Sequence, residues 1–299
     1  MNNILQDLNI PQNNAIAALS ILNKLAGTRV VEVDLPVLKE KVFISPIDGA
    51  DELAMNTMRA SGAAFIKSFN ELLFVHCKFE GLEFANAEDF QKHLTPPDKA
   101  MIVYGLLSST FTKLPEKHIT CPKCGKADNY TFPPEKMMHA DTIPKTWNED
   151  KNVEDFTIES EIMPGFKVFF GMPTEQDRLD VLTFKSNAEM RDNLQEVNDV
   201  LSSLEIFSLY IKRIEIQDGK KTVIKLVNKV TEILPVLKQM PPEIKSQLLE
   251  DLSMEPLIEY SPNFYIEIQC GNPGCNHVFK WDDIRPEQDF FRKALSVYN

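Results

Sequence analysis

The sequence lacks any apolar run able to cross a bilayer: its most hydrophobic stretches, residues 15–22 and 101–107, fall far short of the roughly 18 to 20 residues a membrane helix needs. Residues 1–7 carry no basic cluster ahead of an apolar run, so no secretory leader is expected and the chain reads as soluble and intracellular. No low-complexity tract occurs. Cysteine is scarce, with five residues in 299, too few and too unevenly placed for a secreted disulfide framework. Glycine-rich phosphate loops, Gly-x-Ser-x-Gly elbows and His-Glu-x-x-His helices are all missing, and no catalytic role is expected. Positive charge is in deficit. Lys and Arg number 32 against 44 Asp and Glu, a formal charge of −12, which opposes binding to phosphate backbones because such affinity comes from cations displacing counterions.

What is present is globular in character. Hydrophobic residues make up 43% and charged residues 25%, enough apolar material for one large domain or two ordinary ones. Residues 13–25 predict a short N-terminal helix with Ile16, Leu19, Leu22 and Leu25 along one side. Strands are expected at 30–33 and 41–45, followed by a helix that Asp48 opens with Asp51 as an acidic capping-box partner. Helical pattern continues towards Cys77 and recurs at 97–111. His76 then reads as a satisfied structural histidine and Cys77 as a small core residue. A polar linker at 142–155 leads to strands at 156–162 and 167–170. Thr174, with Asp177 three residues on, caps the next helix, and further helix is expected at 188–207. Asp218-Gly219 marks a hairpin between 209–217 and 220–224. Helices to 239 and over 243–252 complete the second half, and Phe290 and Phe291 read as core or interface anchors near its end. Acidic residues such as Glu52, Glu175 and Asp177 sit in first helical turns, where they serve cap and macrodipole.

Without gaps, residues 41–51 align with 167–177, sharing Lys, Val, Phe and the final Asp. Both segments run from strand to capped helix, and each half then reaches a cysteine pair. The sequence therefore divides into an N-terminal arm or helix (1–28), a first half (29–152) and a second half (153–299).

The cysteine pairs carry the chemistry. Cys121 and Cys124 are separated by two residues, Cys270 and Cys275 by four, each pair between short strands at 117–120 and 130–132 or 264–269 and 277–281. Thiolate pairs at such spacing, in turns rich in Gly and Pro, form zinc knuckles, and Gly125, Gly271 and Gly274 are expected to supply the turns with positive φ. Four thiolates leave no open coordination position, so the expected cofactor is one structural Zn²⁺ on Cys121, Cys124, Cys270 and Cys275. Iron–sulfur ligation, disulfides, or His277 in place of a cysteine are the alternatives. Lys113, Lys117, Lys123 and Lys126 around the first pair read as solvated knuckle surface. The fold class is α+β, helical regions with short strands and hairpins, two zinc-knuckle halves joined at one structural Cys₄ site.

In order, Val31-Glu-Val-Asp-Leu-Pro36, the strand and helix start at 43–52, Ile119-Thr-Cys-Pro-Lys-Cys-Gly125, Met163-Pro-Gly, Met172-Pro-Thr-Glu-Gln-Asp177, and Cys270 and Cys275 before Val278-Phe279 make up a set of landmarks. The set resembles the baseplate hub assembly proteins of T-even-type contractile-tailed bacteriophages over about residues 30 to 295. It departs from them in a wider second knuckle and in lacking a Gly-containing turn after Leu35-Pro36. The resemblance implies a non-enzymatic tail baseplate hub component or hub assembly chaperone. Its partners would be other tail or hub proteins, with no membrane and no nucleic acid, and its location the virion tail or the host cytoplasm during assembly. The alternative is a zinc-ribbon regulator of transcription or replication.

Overall fold

The computed structural model describes residues 29–57, 62–140, 158–163, 165–189, 209–218, 222–253 and 262–295. The helix expected at 13–25, the linker at 142–155, most of the helix at 188–207 and the hairpin turn at Gly219 lie outside them.

Val31–Asp34 (β1) and Lys41–Ile44 (β2) pair antiparallel, from Val31↔Ile44 to Asp34↔Lys41. Alternation turns Val42 and Ile44 inward, both fully buried. Asp48 and Asp51 then exchange backbone N–H to carboxylate bonds of 2.8 and 3.0 Å, the expected box, and Gly49–Thr57 (α1) begins. After Gly62, at φ +73, comes Ala63–His76 (α2), which buries Phe69, Leu72 and Leu73. Cys77–Phe79 (β3) turns back onto β2 directly from the helix end. Ala87–His93 (α3), capped by Asn86, was not foreseen; its sequence is short and polar, and packing of Phe90 decides it. Pro96–Thr110 (α4) starts with two prolines, whose missing N–H groups cost nothing at that end. It is buried on almost every side and lies across β1 and β2. Lys117–Thr120 (β4) and Ala127–Tyr130 (β5) form a two-stranded sheet, with the return strand earlier than the expected 130–132. Met138–Ala140 (β6) follows.

In the second half, Ile158–Met163 (β7) and Phe166–Phe170 (β8) pair antiparallel. Thr174 and Asp177 form the second box at 3.0 and 3.3 Å, opening Glu175–Glu189 (α5). Ile211–Asp218 (β9) and Thr222–Leu226 (β10) extend the sheet to the order β10-β9-β8-β7. A π turn at Lys229–Ile233, capped by Asn228, runs into Leu234–Gln239 (α6), and Pro242–Ser253 (α7) follows. Asn263–Gln269 (β11) pairs with Val278–Trp281 (β12) on one side and β6 on the other; Pro286–Leu295 (α8) is the last helix described.

The alignment of 41–51 with 167–177 extends into topology. In each half an antiparallel hairpin (β1-β2, β7-β8) leads through a reciprocally capped helix to a third strand (β3, β9), which pairs antiparallel on the free side of the second. Helices then lead to a strand, a cysteine turn and a return strand. The second half adds β10.

Hydrophobic side chains gather in two cores whose membership crosses the 152/153 division. One core contains β1, β2, α2–α4 and Ile119 of β4, and also Phe264, Ile266, Ile268, Ile284, Phe290 and Ala294 from the end of the chain. The other contains β8, β9, α6 and Leu248 of α7, and also Val37 from the turn between β1 and β2. Each half thus places apolar residues in the other's core. Segments far apart in sequence interlock.

Candidate metal centre

Both cysteine turns sit on strands rooted in the first core. Ile119 of β4 is 4% exposed, and Ile266 and Ile268 of β11 lie in the same core, so neither turn can drift relative to the other. The first turn closes with Cys121 N–H donating to Lys126 O at 2.9 Å and Gly125 N–H donating to Cys121 O at 3.0 Å. The second closes with Cys270 N–H donating to His277 O at 2.8 Å and Cys275 N–H donating to Asn272 O at 2.9 Å. In both, the residue after the second cysteine has positive φ: Gly125 at +70° and Asn276 at +44°. Gly271 and Gly274 were expected to share this role and do not. Asn276 takes it, a residue type that tolerates the left-handed region. Gly271 serves instead for close approach: a Cβ there would stand 3.1 Å from Asp128 Oδ2 of β5.

The four sulfur atoms converge within 4.8 Å of one another. Cys121 and Cys275 Sγ are 3.9 Å apart, Cys124 and Cys270 Sγ 3.6 Å. A tetrahedron with metal–sulfur bonds of about 2.3 Å has edges of about 3.8 Å, so the cluster has the dimensions for one ion among the four ligands. These separations are far beyond a disulfide's roughly 2.05 Å. Cys121 and Cys270 form the buried side, Cys275 is half-buried, and Cys124 faces solvent.

Backbone N–H groups point at the sulfurs two residues ahead of them: Lys126 to Cys124, Asn272 to Cys270 at 3.4 Å, and His277 to Cys275. Asn272 Nδ2 reaches Cys124 Sγ across the site at 3.8 Å. Such donors favour thiolates, orienting ligands and offsetting their charge. The surroundings push two of the facing thiols in opposite directions. The Lys126 N–H holds Cys124 down to about 6, whereas burial and the neighbouring sulfurs, against the pull of the Asn272 N–H, push Cys270 up to about 12.

Other contacts join the turns directly. Lys126 Nζ donates to Gly271 O at 3.1 Å and pairs with Asp128 at 3.1 Å, and Gly271 N–H donates to the Tyr130 hydroxyl at 3.4 Å. Of the lysines read as solvated surface, Lys126 is therefore engaged in the knuckle. Lys117 is a clearer correction: it is 14% exposed, paired with the buried Asp289 of α8, and fastens the first knuckle's strand to the last helix.

The histidines stay outside the ligand set. His118 contacts Asn129 Oδ1 at 2.8 Å, and His277 stacks on Phe279. His76 bridges Asp51 and Ser45 at 3.1 and 3.2 Å, a satisfied structural histidine. Cys77 packs against the first core, and burial pushes its thiol upward, away from nucleophilic ionisation. Glu175 does more than cap. It is 2% exposed and accepts from Lys99 Nζ at 2.8 Å and Asn70 Nδ2 at 3.2 Å, a buried polar junction between α2, α4 and α5. No sequence signal separates it from an ordinary first-turn glutamate.

No family model, curated protein or solved structure matches this chain. No described helix is long and apolar enough to cross a membrane.

Proposed function

We propose that the chain is a non-enzymatic component of a contractile phage tail's baseplate hub, or a chaperone of its assembly, held together by one structural Zn²⁺ and acting through protein–protein contacts. The observation that supports it most is the closed sulfur cluster. Four thiolates at tetrahedral spacing leave no coordination position for substrate, so the ion fixes a shape and does no chemistry. Soft thiolate ligands favour Zn²⁺ over Mg²⁺ or Ca²⁺, and sulfurs all within 4.8 Å favour a single ion over a bridged iron–sulfur cluster. The ordered landmarks from Val31 to Phe279 supply the phage assignment.

The zinc-ribbon regulator is the weaker reading. Two of the four lysines near Cys121 are engaged by Asp289 and Asp128, and the chain's charge of −12 repels phosphate. Tagged protein recovered from phage-infected cells should bring tail or hub proteins with it, and mass spectrometry of purified virions separates a resident from a chaperone. Recovery of polymerase subunits, or DNA or RNA binding that weakens with salt, would favour the regulator.

A further inference from the structure

Helices α2, α3 and α5 line a cleft of about 560 Å³. Gln91 of α3 stands on its wall and is 1% exposed, yet its Nε2 has no acceptor among the described residues. A buried amide N–H gives up its hydrogen bonds to water, so one without a partner marks where an acceptor belongs. Ala63 and Ala64, which open α2, border the same cleft. Gly62 before them offers no side-chain cap, the first turn holds no acid, and the first bond within the helix is Ile66 N–H to Gly62 O at 3.2 Å. Both alanine N–H groups therefore lack acceptors among the described residues. Lys92 is exposed beside Gln91 and has no carboxylate within ion-pair reach among those residues. The acids on the wall are matched. Glu88 is 70% exposed and faces Lys67 at 3.5 Å, and Asp180 accepts from Gln176 Nε2 at 2.8 Å. Asp180 also lies in the field of Lys229, and Lys212 pairs with Asp177. The amide, the ammonium and the helix N–H groups are thus donors without partners on one wall.

We infer that this cleft binds a phosphate group. The start of α2 supplies backbone N–H groups and the positive end of the helix dipole, the elements of an anion site. Gln91, fixed by burial, adds a neutral donor, and Lys92 adds a positive charge. A phosphate presents three terminal oxygens, enough for all three kinds of donor, where a carboxylate presents two. Lys67 offsets Glu88 and Lys229 offsets Asp180, so Lys92 and the helix end leave the surplus positive. The cleft is larger than a bare phosphate and falls in the size range of small-ligand sites, which leaves room for an ester. Free phosphate and a phosphate ester share the chemistry that these donors recognise. None of the four clustered cysteines lines the cleft, and the inference owes nothing to the phage assignment. Its test needs no tail protein.

The probe is inorganic phosphate, titrated calorimetrically into the purified full chain at constant ionic strength. One saturable site per chain is expected, and glycerol 3-phosphate in a parallel titration separates the free ion from an ester. Gln91→Met keeps the volume and removes the unpartnered amide, so it should fold at least as stably while weakening phosphate about tenfold. Lys92→Ala, at the surface, should weaken it comparably and keeps the test decisive if Gln91→Met fails to fold. Lys113→Glu, which reverses an exposed charge outside the cleft, should leave the affinity within about twofold. Phosphate should raise the melting temperature of the parent chain by more than that of Gln91→Met. Acetate should compete poorly. No saturable binding of either phosphate ligand, binding that Gln91→Met leaves intact, equal loss in Lys113→Glu, or acetate binding as tightly as phosphate each overturns the inference.

Discussion

Asp98 shows how a single side chain links the two cores. Fully buried at the third position of α4, it accepts from Val37 N–H and Thr95 Oγ1, each at 2.8 Å, so it holds the β1–β2 turn whose Val37 reaches the second core. Burial pushes its carboxyl up to about 6, against the pull of Val37, Thr95 and Leu38. A folded-state pKa above the unfolded value means that the native state holds the extra proton. The stabilisation is present in full below about pH 4 and is lost as pH rises through about 6. A shift of this size corresponds to about 3 kcal/mol. Urea unfolding from pH 4 to 7 should show that decline, and Asp98→Asn should flatten it; an unchanged slope in the variant contradicts the assignment. Gly125 offers a second residue-scale test. At φ +70° any other side chain is strained, so Gly125→Ala should cost about 1–2 kcal/mol, read from the urea midpoint. That glycine was legible in Cys-Pro-Lys-Cys-Gly. Its counterpart Asn276 was not, because a four-residue spacer hides which position takes the left-handed turn.

At the scale of elements, α4 carries the first core. Gly105 lets it lie close on the sheet: a Cβ there would collide with Ile44 Cδ1, itself fully buried in the first core. Gly105→Ala should therefore destabilise by about 1–3 kcal/mol, the usual cost of overpacking, despite alanine's better helix propensity. A stabilised variant in thermal unfolding would mean that the contact is looser than described. The last helix is anchored in the same way. Phe290 is fully buried and packs beside Phe69 and Phe111, with ring centroids 6.0 and 5.9 Å away. Phe290→Ala should cost about 3–5 kcal/mol. Elements with their own local signals were readable in sequence: both capping boxes, the strand pairs flanking the cysteines, and α4 with its leading prolines. Those without such signals were missed. β3 follows a helix with no turn residues between, β6 is three residues long and exists by pairing with β11, and α3 depends on burying Phe90.

Across the whole molecule, the halves repeat one plan but do not form two closed bodies. The sequence suggested the repeat through four matching residues. It could not show that the chain's end returns to the first core or that Val37 enters the second, since such exchanges depend on long-range packing. The Lys99–Glu175 pair, 4% and 2% exposed, lies at the junction. Lys99→Met alone should cost about 3–5 kcal/mol by leaving a buried carboxylate short of its cation, and Lys99→Met with Glu175→Gln should cost less than that single change. Additive losses in the double variant would place the two groups outside each other's influence. The sulfur cluster joins segments separated by 146 and 154 positions on this same frame. An ion there ties the two halves of the chain together, and structural zinc contributes on the order of 10 kcal/mol or more in small peptide folds. The most direct measurement is elemental analysis of the purified chain joined to its thermal unfolding with and without a strong chelator. One zinc per chain, lost together with cooperative unfolding at a much lower temperature, is the predicted result. A metal-free chain that melts cooperatively and ignores the chelator would contradict the account.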